Sequence, residues 1–157
     1  MDVRQAESEE VDRLAQIWYE GWRDAHLEIV PAELARVRTY ENFHGRLEKE
    51  LGEVRVIGEV GTPIGFSMTK ADELYQLYVS RDARGTGAAQ KLIAEVERRL
   101  AERGFPTAWL GCAIGNERAA RFYEKSGWHL ARNYVSELIV PDGIFELEVW
   151  RYEKDLV

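Results

Sequence analysis

A glycine-rich loop between an apolar strand and an amphipathic helix is the feature that most constrains this fold. Residues 73–79 (ELYQLYV) predict a β-strand, and the loop RDARGTGAAQ at residues 81–90 leads directly into a helix. Apolar side chains recur in that helix at spacings of three and four residues, which places them on one face. They are Ala89, Leu92, Ile93, Val96 and Leu100. A strand, a tight loop and a helix in this order indicate a mixed α/β domain.

Similar patterns predict elements along the whole chain. A first helix begins after Ser8 and runs to about Ala25, and a second is opened by Pro31 and ended by Gly52. A short helix follows Asn116, which is a good N-cap residue. Strands are predicted at residues 2–6, 53–60, 64–69, 73–79, 107–113, 128–139 and 144–153. Because no stretch has the composition of a linker, residues 1–157 are predicted to form a single domain.

Charge and composition narrow the class of function. The formal net charge is −7, which argues against a nucleic-acid-binding protein, because such proteins bind phosphates with clustered Lys and Arg. No apolar run approaches the roughly 20 residues of a membrane span, and the acidic N-terminus is unlike a signal peptide. Cys112 is the only cysteine, and the three histidines lack metal-ligand spacing. These features predict a cytoplasmic protein that binds no nucleic acid, membrane or metal.

The loop at residues 81–90 has the properties of an anion-binding site. The start of a helix carries unpaired N–H groups and a partial positive charge, which attract phosphates. Gly85 and Gly87 have no Cβ, so a phosphate could approach the backbone closely. The loop lacks the Lys-Ser/Thr pair of a P-loop, and Gln90 stands where the dinucleotide-binding pattern needs its third glycine. The alternative is that the glycines only shape a tight turn between strand and helix.

Two motifs, in order along the chain, point to one family. The run Arg-Gly-Thr-Gly-Ala-Ala at residues 84–89 resembles the Arg/Gln-x-x-Gly-x-Gly/Ala signature of the GNAT family of acetyl-coenzyme A-dependent acetyltransferases. Residues 116–128 (NERAARFYEKSGW) are similar to the family's second hallmark, Asn-x-x-Ala-x-x-x-Tyr-x-x-x-Gly-Phe. The resemblance covers nearly the whole chain, although only residues 73–128 are specific. The chain departs from the family in lacking the usual Pro before the arginines and in having Trp128 in place of Phe.

The resemblance implies a fold and a cofactor site. The expected fold is a mixed, mostly antiparallel sheet of six to seven strands, flanked by about four helices. The sheet is expected to splay in its middle, between strands 73–79 and 107–113. Backbone groups of Leu77, Tyr78 and Val79 would bind the pantetheine arm of acetyl-coenzyme A (acetyl-CoA). The pyrophosphate would be bound by the N–H groups of Arg84, Gly85, Thr86, Gly87, Ala88 and Ala89. Asn116 would contact the cofactor, cap its own helix, or do both.

The resemblance also implies two catalytic residues. Tyr123 would donate a proton to the thiolate that leaves when acetyl-CoA reacts. The alternative is that Tyr123 is an aromatic residue of the core. Glu73, at the head of its strand, matches a position where some members carry the base that accepts the amine's proton. The alternative for Glu73 is a solvated charge at a strand end.

The pocket for the acceptor is the least readable part of the chain. In the family this pocket lies between the first two helices and the open sheet, and Trp18, Trp22 and Tyr40 supply aromatic surface there. The alternative for Trp18 and Trp22 is a helix stripe that packs into the core. Cys112 lies in the middle of a strand and is expected to be a small buried side chain and not a nucleophile.

These expectations combine into one function. The resemblance predicts an N-acetyltransferase that moves the acetyl group of acetyl-CoA to a primary amine, by direct attack in a ternary complex and without a metal. The acceptor would be a small molecule or a peptide. An alternative from another class is a catalytically silent sensor or interaction module that binds acyl-CoA. The β-rich C-terminus could pair with a second copy, so a homodimer is a further expectation.

Overall fold

The computed structural model describes residues 1–156, which form one seven-stranded sheet with helices on both faces. The strands are β1 (Val3–Gln5), β2 (Val54–Ile57), β3 (Gly65–Lys70), β4 (Glu73–Val79), β5 (Thr107–Ala113), β6 (His129–Val140) and β7 (Gly143–Asp155). Their order across the sheet is β1-β2-β3-β4-β5-β7-β6, and every neighbouring pair is antiparallel except β4 and β5. The predicted mixed, mostly antiparallel sheet is therefore confirmed.

Five α-helices flank the sheet. They are α1 (Val11–His26), α2 (Ala32–Val37), α3 (Tyr40–Lys49), α4 (Ala88–Glu102) and α5 (Glu117–Lys125). The prediction of one long helix between Pro31 and Gly52 is wrong, because the helix is interrupted at Arg38 and Thr39. Thr39 is extended and its side-chain oxygen accepts a hydrogen bond from the Asn42 N–H at 3.1 Å. It thus acts as the N-cap of a new helix.

The helices lie on opposite faces of the sheet and build separate cores. Consecutive residues of a strand point to opposite faces, and Val56 and Ile57 of β2 belong to different buried clusters. Val56 packs in the cluster that contains Trp18 of α1 and Phe43 of α3, whereas Ile57 packs with Leu92 of α4. The cleft described below opens between these two helical layers.

The centre of the sheet is open, as the sequence predicted. The parallel strands β4 and β5 share a single paired position, between Glu73 and Trp109. Next to it, the Trp109 N–H donates to the carbonyl of Asp72 at 3.2 Å. The register contains no further pair between these strands, which diverge from Glu73 towards Val79. The divergence leaves one edge of β4 free of strand partners.

The C-terminal hairpin of β6 and β7 forms the outer edge of the sheet. Val135, Ile139 and Ile144 of this hairpin are more than half exposed. Pairing with a second copy remains a prediction, which a molecular mass measured in solution would test. Within residues 1–156, no helix is both long enough and apolar enough to cross a membrane.

Candidate active site

A cleft of about 650 Å³ lies where β4 and β5 diverge. It runs from the loop before α4, along the free edge of β4, to a chamber walled by α1, α2, α3 and the β6–β7 hairpin. Most of the site residues predicted from the sequence line it. They are Trp18, Trp22, Glu73, Leu77, Tyr78, Val79, Arg84, Gly85, Gly87, Ala88, Ala89, Asn116 and Tyr123. Thr86 and Tyr40 are the two predicted site residues that do not line the cleft.

Two N–H groups of the glycine loop are already used inside the loop. The Thr86 N–H and hydroxyl both donate to the carbonyl of Ala83, and the Arg84 N–H donates to Arg81 at 3.3 Å. Binding of a pyrophosphate by the Arg84 and Thr86 N–H groups stays a prediction, and it would require these groups to share or give up their bonds within the loop. Thr86 stabilises the loop, and Arg84 offers its side chain to the cleft.

The remaining N–H groups of the loop are free to bind an anion. Gly85 and Gly87 adopt left-handed conformations, with φ values of 82° and 85°, and α4 begins directly after Gly87. The N–H groups of Gly85, Gly87 and residues 88–90 have no acceptor among residues 1–156. A Cβ added at Gly85 or Gly87 would meet no protein atom within 4 Å. These glycines therefore adopt a backbone turn that other residues disfavour, and they leave the approach to a helix N-terminus open.

Charged side chains surround this end of the cleft. Arg84 and Arg118 both line it. Burial, followed by the charge of Arg118, lowers the pKa of Arg84. Neither forms an ion pair with a carboxylate of residues 1–156. Arg81 is paired with Asp24 at 2.6 Å instead. Arg118 was missed from the sequence because it lies inside the second motif at a position where the motif allows any residue.

The free edge of β4 presents alternate peptide groups to the cleft. The Ser80 N–H donates to the carbonyl of Ile64 at 2.8 Å, which fixes which peptide groups face β3. Because these groups alternate along an antiparallel strand, the N–H and C=O of Tyr78 pair with β3. Those of Leu77 and Val79 face the open edge. The prediction that all three residues offer backbone groups is therefore corrected for Tyr78, which contributes its ring.

Tyr123 lies on α5, with its ring in the core and its hydroxyl at the cleft. The ring packs 6.3 Å from Trp128 and 6.2 Å from Tyr152. The hydroxyl has no hydrogen-bond partner among residues 1–156, and desolvation raises its pKa, so the phenol is protonated at neutral pH. Tyr123 is thus a core aromatic residue and also a free proton donor.

Asn116 positions the helix that carries Tyr123. Its side-chain oxygen accepts a hydrogen bond from the Ala119 N–H at 3.3 Å, which confirms the predicted N-cap. It also lines the cleft, so contact with a cofactor stays a prediction.

Glu73 lies where β4 and β5 are still paired, at the base of the divergence. Burial raises the pKa of its carboxyl to about 7, although Lys70 lowers it, and Asp72 opposes that lowering. The carboxyl has no hydrogen-bond partner among residues 1–156. A carboxyl that is half ionised near neutral pH can accept a proton from an amine. The burial of Glu73 is compatible with the predicted role as general base, which stays a prediction.

The far chamber differs from the sequence prediction in its residues. Trp18 and Trp22 line it and are also buried in the core. Tyr40 lies outside it, because the break before α3 places its hydroxyl on the carbonyl of Asp12 of α1, at 3.3 Å. Contact between Tyr40 and an acceptor stays a prediction that this placement does not support. His26 stacks on Trp22 at 4.9 Å, and burial lowers its pKa, so its imidazole is neutral.

Several side chains of the chamber had no signal in the sequence. Arg38 stands at the unforeseen helix break, and Arg46 lies one turn from the end of α3. Further unforeseen wall residues come from β6 and β7: Ser136, Leu138, Leu147 and Val149.

Cys112 of β5 also lines the cleft, and burial raises its pKa to about 12. It is a neutral thiol at physiological pH, as expected of a buried small side chain. Within residues 1–156, no group of three His, Cys, Asp or Glu side chains is placed to hold a metal ion.

Comparison with known proteins agrees with this geometry. The family model described as Acetyltransferase (GNAT) family matches residues 10–128. An uncharacterized N-acetyltransferase from Mycobacterium tuberculosis is 41% identical over 58 residues, which are 37% of each chain. The match therefore spans little more than a third of the length of this curated relative.

Solved structures show the same fold at low identity. A GCN5-related N-acetyltransferase from Rhodopseudomonas palustris superposes with a TM-score of 0.74 and 20% identity, covering 98% of this chain and 94% of that one. YncA from Salmonella typhimurium, solved with its cofactor acetyl-CoA, superposes with a TM-score of 0.71 and 16% identity, covering 100% of this chain and 94% of that one. Since the family model spans more than half of the chain and includes the loop, β4, β5 and α5, this protein belongs to the GNAT family of acetyltransferases.

Proposed function

We propose that this protein transfers the acetyl group of acetyl-CoA to a primary amine, by direct attack within a ternary complex. One observation carries the proposal: a continuous cleft joins the free N–H groups at the start of α4 to Tyr123 and Glu73. We assign the loop end of the cleft to the cofactor and the chamber end to the acceptor. The acceptor is a small molecule or a peptide.

The residues of the loop and β4 fit the parts of acetyl-CoA. The unpaired N–H groups of Gly85, Gly87 and residues 88–90 suit a pyrophosphate, and Arg84 and Arg118 add positive charge. The open peptide groups of Leu77 and Val79 suit the amides of a pantetheine arm, in the manner of an added strand. Relatives of known structure are described with coenzyme A or acetyl-CoA bound.

The chemistry needs two proton transfers, and the cleft offers a group for each. The amine nitrogen forms a bond to the acetyl carbon, and the carbon–sulfur bond breaks. Glu73 accepts the proton that the amine loses, directly or through a water. Tyr123 donates its hydroxyl proton to the departing sulfur and recovers a proton from solvent. The products are an amide and free coenzyme A.

The competing function is a silent sensor that binds acyl-CoA without turnover. Tyr123 and Glu73 argue against it, because a binding protein needs neither a free phenol nor a carboxyl with a raised pKa at the cleft.

A single assay separates the two functions. The protein is incubated with acetyl-CoA and a panel of primary amines, and free thiol and the N-acetyl product are measured. Calorimetry reports acetyl-CoA binding in parallel. Amine-dependent thiol release supports the transferase. Tight binding of acetyl-CoA without thiol release, for every amine tried, supports the sensor.

A further inference from the structure

The far chamber of the cleft contains a buried arginine with no carboxylate partner among residues 1–156. Arg38 is only 4% exposed and lines the cleft. One of its terminal nitrogens, Nη1, donates to the Ile139 carbonyl at 2.9 Å and to the Asn42 side-chain oxygen at 3.2 Å. Both acceptors are neutral. A guanidinium has five N–H donors, and its Nε and Nη2 groups have no acceptor among residues 1–156.

A second arginine lies close by in the same chamber. The Arg46 guanidinium stacks over Trp18 at 4.5 Å and donates through Nη2 to the Tyr75 hydroxyl at 2.7 Å. It also lacks a carboxylate partner among residues 1–156. Burial, and then the charge of Arg46, lowers the pKa of Arg38 to about 10, so the two charges are near each other. Two neighbouring cations are thus held partly out of water, and no carboxylate of residues 1–156 pairs with either.

The rest of the molecule treats buried arginines differently. Arg99 is 8% exposed and forms ion pairs with Glu95 at 2.9 Å and Glu53 at 3.7 Å. A buried charge is costly unless it is paired, and the chain has 28 acidic residues from which to choose a partner. The cleft arginines are unusual because their missing partner would have to come from a ligand.

We propose that the acceptor is an amino-acid-like molecule whose carboxylate binds Arg38 and Arg46 while its amine faces Glu73. This inference rests on the proposed acetyl transfer and names the class of its acceptor. The planar fork of a guanidinium matches the two oxygens of a carboxylate. Leu34, Leu138 and Leu147 line the chamber and suit the hydrocarbon part of such an acceptor.

The test compares acids with matched neutral amines. The twenty α-amino acids, β-alanine and γ-aminobutyrate are each assayed beside their primary amides, with acetyl-CoA and thiol detection. For the best acceptor, kcat/KM of the acid should exceed that of its amide by roughly 10- to 100-fold, as expected for losing hydrogen bonds to a charged group. Amides that match or exceed their acids throughout would overturn the inference, while acetyl transfer would stand.

Variants then assign the preference to the arginines. Arg46→Gln should raise KM for the acid roughly tenfold or more and leave KM for the amide unchanged. Arg38→Lys should keep part of the acid preference, and Arg38→Gln should lose it. Arg36→Gln is the matched control, because Arg36 is an exposed arginine of α2. An acid preference that survives both Arg46→Gln and Arg38→Gln would place the carboxylate elsewhere. The acetyl-CoA-induced rise in melting temperature shows which variants are folded.

A binding measurement tests the chamber without turnover. N-acetyl amino acids and their amides are titrated into the protein saturated with coenzyme A. The acid should bind at least about tenfold more tightly in wild type, and equally to the amide in Arg46→Gln. Equal binding in wild type would overturn the inference. If acids bind preferentially but no amine of either kind releases thiol, the carboxylate site stands and the proposed transfer fails.

Discussion

The two ends of the cleft are built in different ways. At the loop end, the groups available to a ligand are backbone N–H groups and the Arg84 side chain, all from residues 84–90, together with the exposed side chain of Arg118. At the chamber end, they are side chains from α1, α2, α3, β4, β6 and β7. The first end is defined by local backbone conformation, and the second only by how distant elements pack. This difference decides which variants should affect binding of the cofactor and which should affect the acceptor.

The largest effect is expected at the loop end. Gly87→Glu should lower the affinity for acetyl-CoA by about 10²- to 10³-fold, because it puts a carboxylate against the phosphates and like charges in contact cost several kcal/mol. Calorimetry measures this directly. Gly104→Glu is the matched control: Gly104 lies at the other end of α4, has a φ of 91° and also has no neighbour within 4 Å. Equal loss of affinity in both variants would mean that strain, and not the site, is responsible.

The next effect is on chemistry at the junction of the two ends. Tyr123→Phe should lower kcat by about 10²-fold, at the low end for general acid catalysis because a thiolate is already a fair leaving group. Cofactor affinity should stay the same, because the ring remains. Tyr152→Phe is the control, because its ring lies 6.2 Å away and its hydroxyl donates to Glu124 instead. Wild-type kcat for Tyr123→Phe, in a step limited by chemistry, would remove its acid role.

A smaller effect, dependent on pH, is expected at Glu73. Because its pKa is about 7, kcat/KM of the wild type should rise with pH through that value as the carboxylate forms. Glu73→Gln should lose about tenfold near pH 7 and lack this limb of the profile. An unchanged profile in the variant would show that the limb belongs to another group, such as the acceptor amine.

The same shift predicts a stability effect of opposite sign. Folding raises the pKa of Glu73 from about 4.5 to about 7, so the unfolded chain loses its proton first as pH rises. The contribution of Glu73 to stability is therefore most favourable below pH 4.5 and is lost between pH 4.5 and 7. Glu73→Gln should gain stability relative to wild type across that range. Denaturant unfolding at pH 4.5 and 8 measures the change.

The smallest effect is expected from the exposed charge near the loop. Arg118→Gln should weaken acetyl-CoA binding by about two- to fivefold, because exposed ion pairs contribute up to roughly 1 kcal/mol. The difference should disappear at high salt. Arg121→Gln is the control, since Arg121 is an exposed arginine of the same helix outside the cleft. Equal effects from both would indicate only the net charge of α5.

The loop end was predictable because its determinants are close together in sequence. Gly85, Gly87 and Asn116 have conformations or caps that follow from residue type, and the strand before them has clear periodicity. The motif could not show which N–H groups form hydrogen bonds within the loop. Those bonds depend on a turn in which the Ala83 carbonyl accepts from the Thr86 N–H.

The chamber end was not predictable, because its walls come from segments more than a hundred residues apart. Arg38 contacts Ile139 across that separation, and the contact depends on a helix break that the apolar periodicity of residues 31–52 concealed. The extra residue in β4, Tyr75, is another example. Met68 pairs with Gln76 and Thr69 with Leu74, so Tyr75 bulges from the ladder and meets Arg46. A periodicity of two cannot reveal a bulge.

The single paired position between β4 and β5 also has a mechanical consequence. The strands on one side of it come from residues 3–79 and those on the other from residues 107–155, so the division of the sheet is also a division of the chain. The two blocks of strands, β1–β4 and β5–β7, share a single pair of the hydrogen-bond ladder. A ligand that is hydrogen-bonded to the free edge of β4 and also contacts β5 would connect them. Amide hydrogen exchange along β4 and β5 should then slow more than elsewhere when acetyl-CoA binds, and the two blocks should open together and no longer separately.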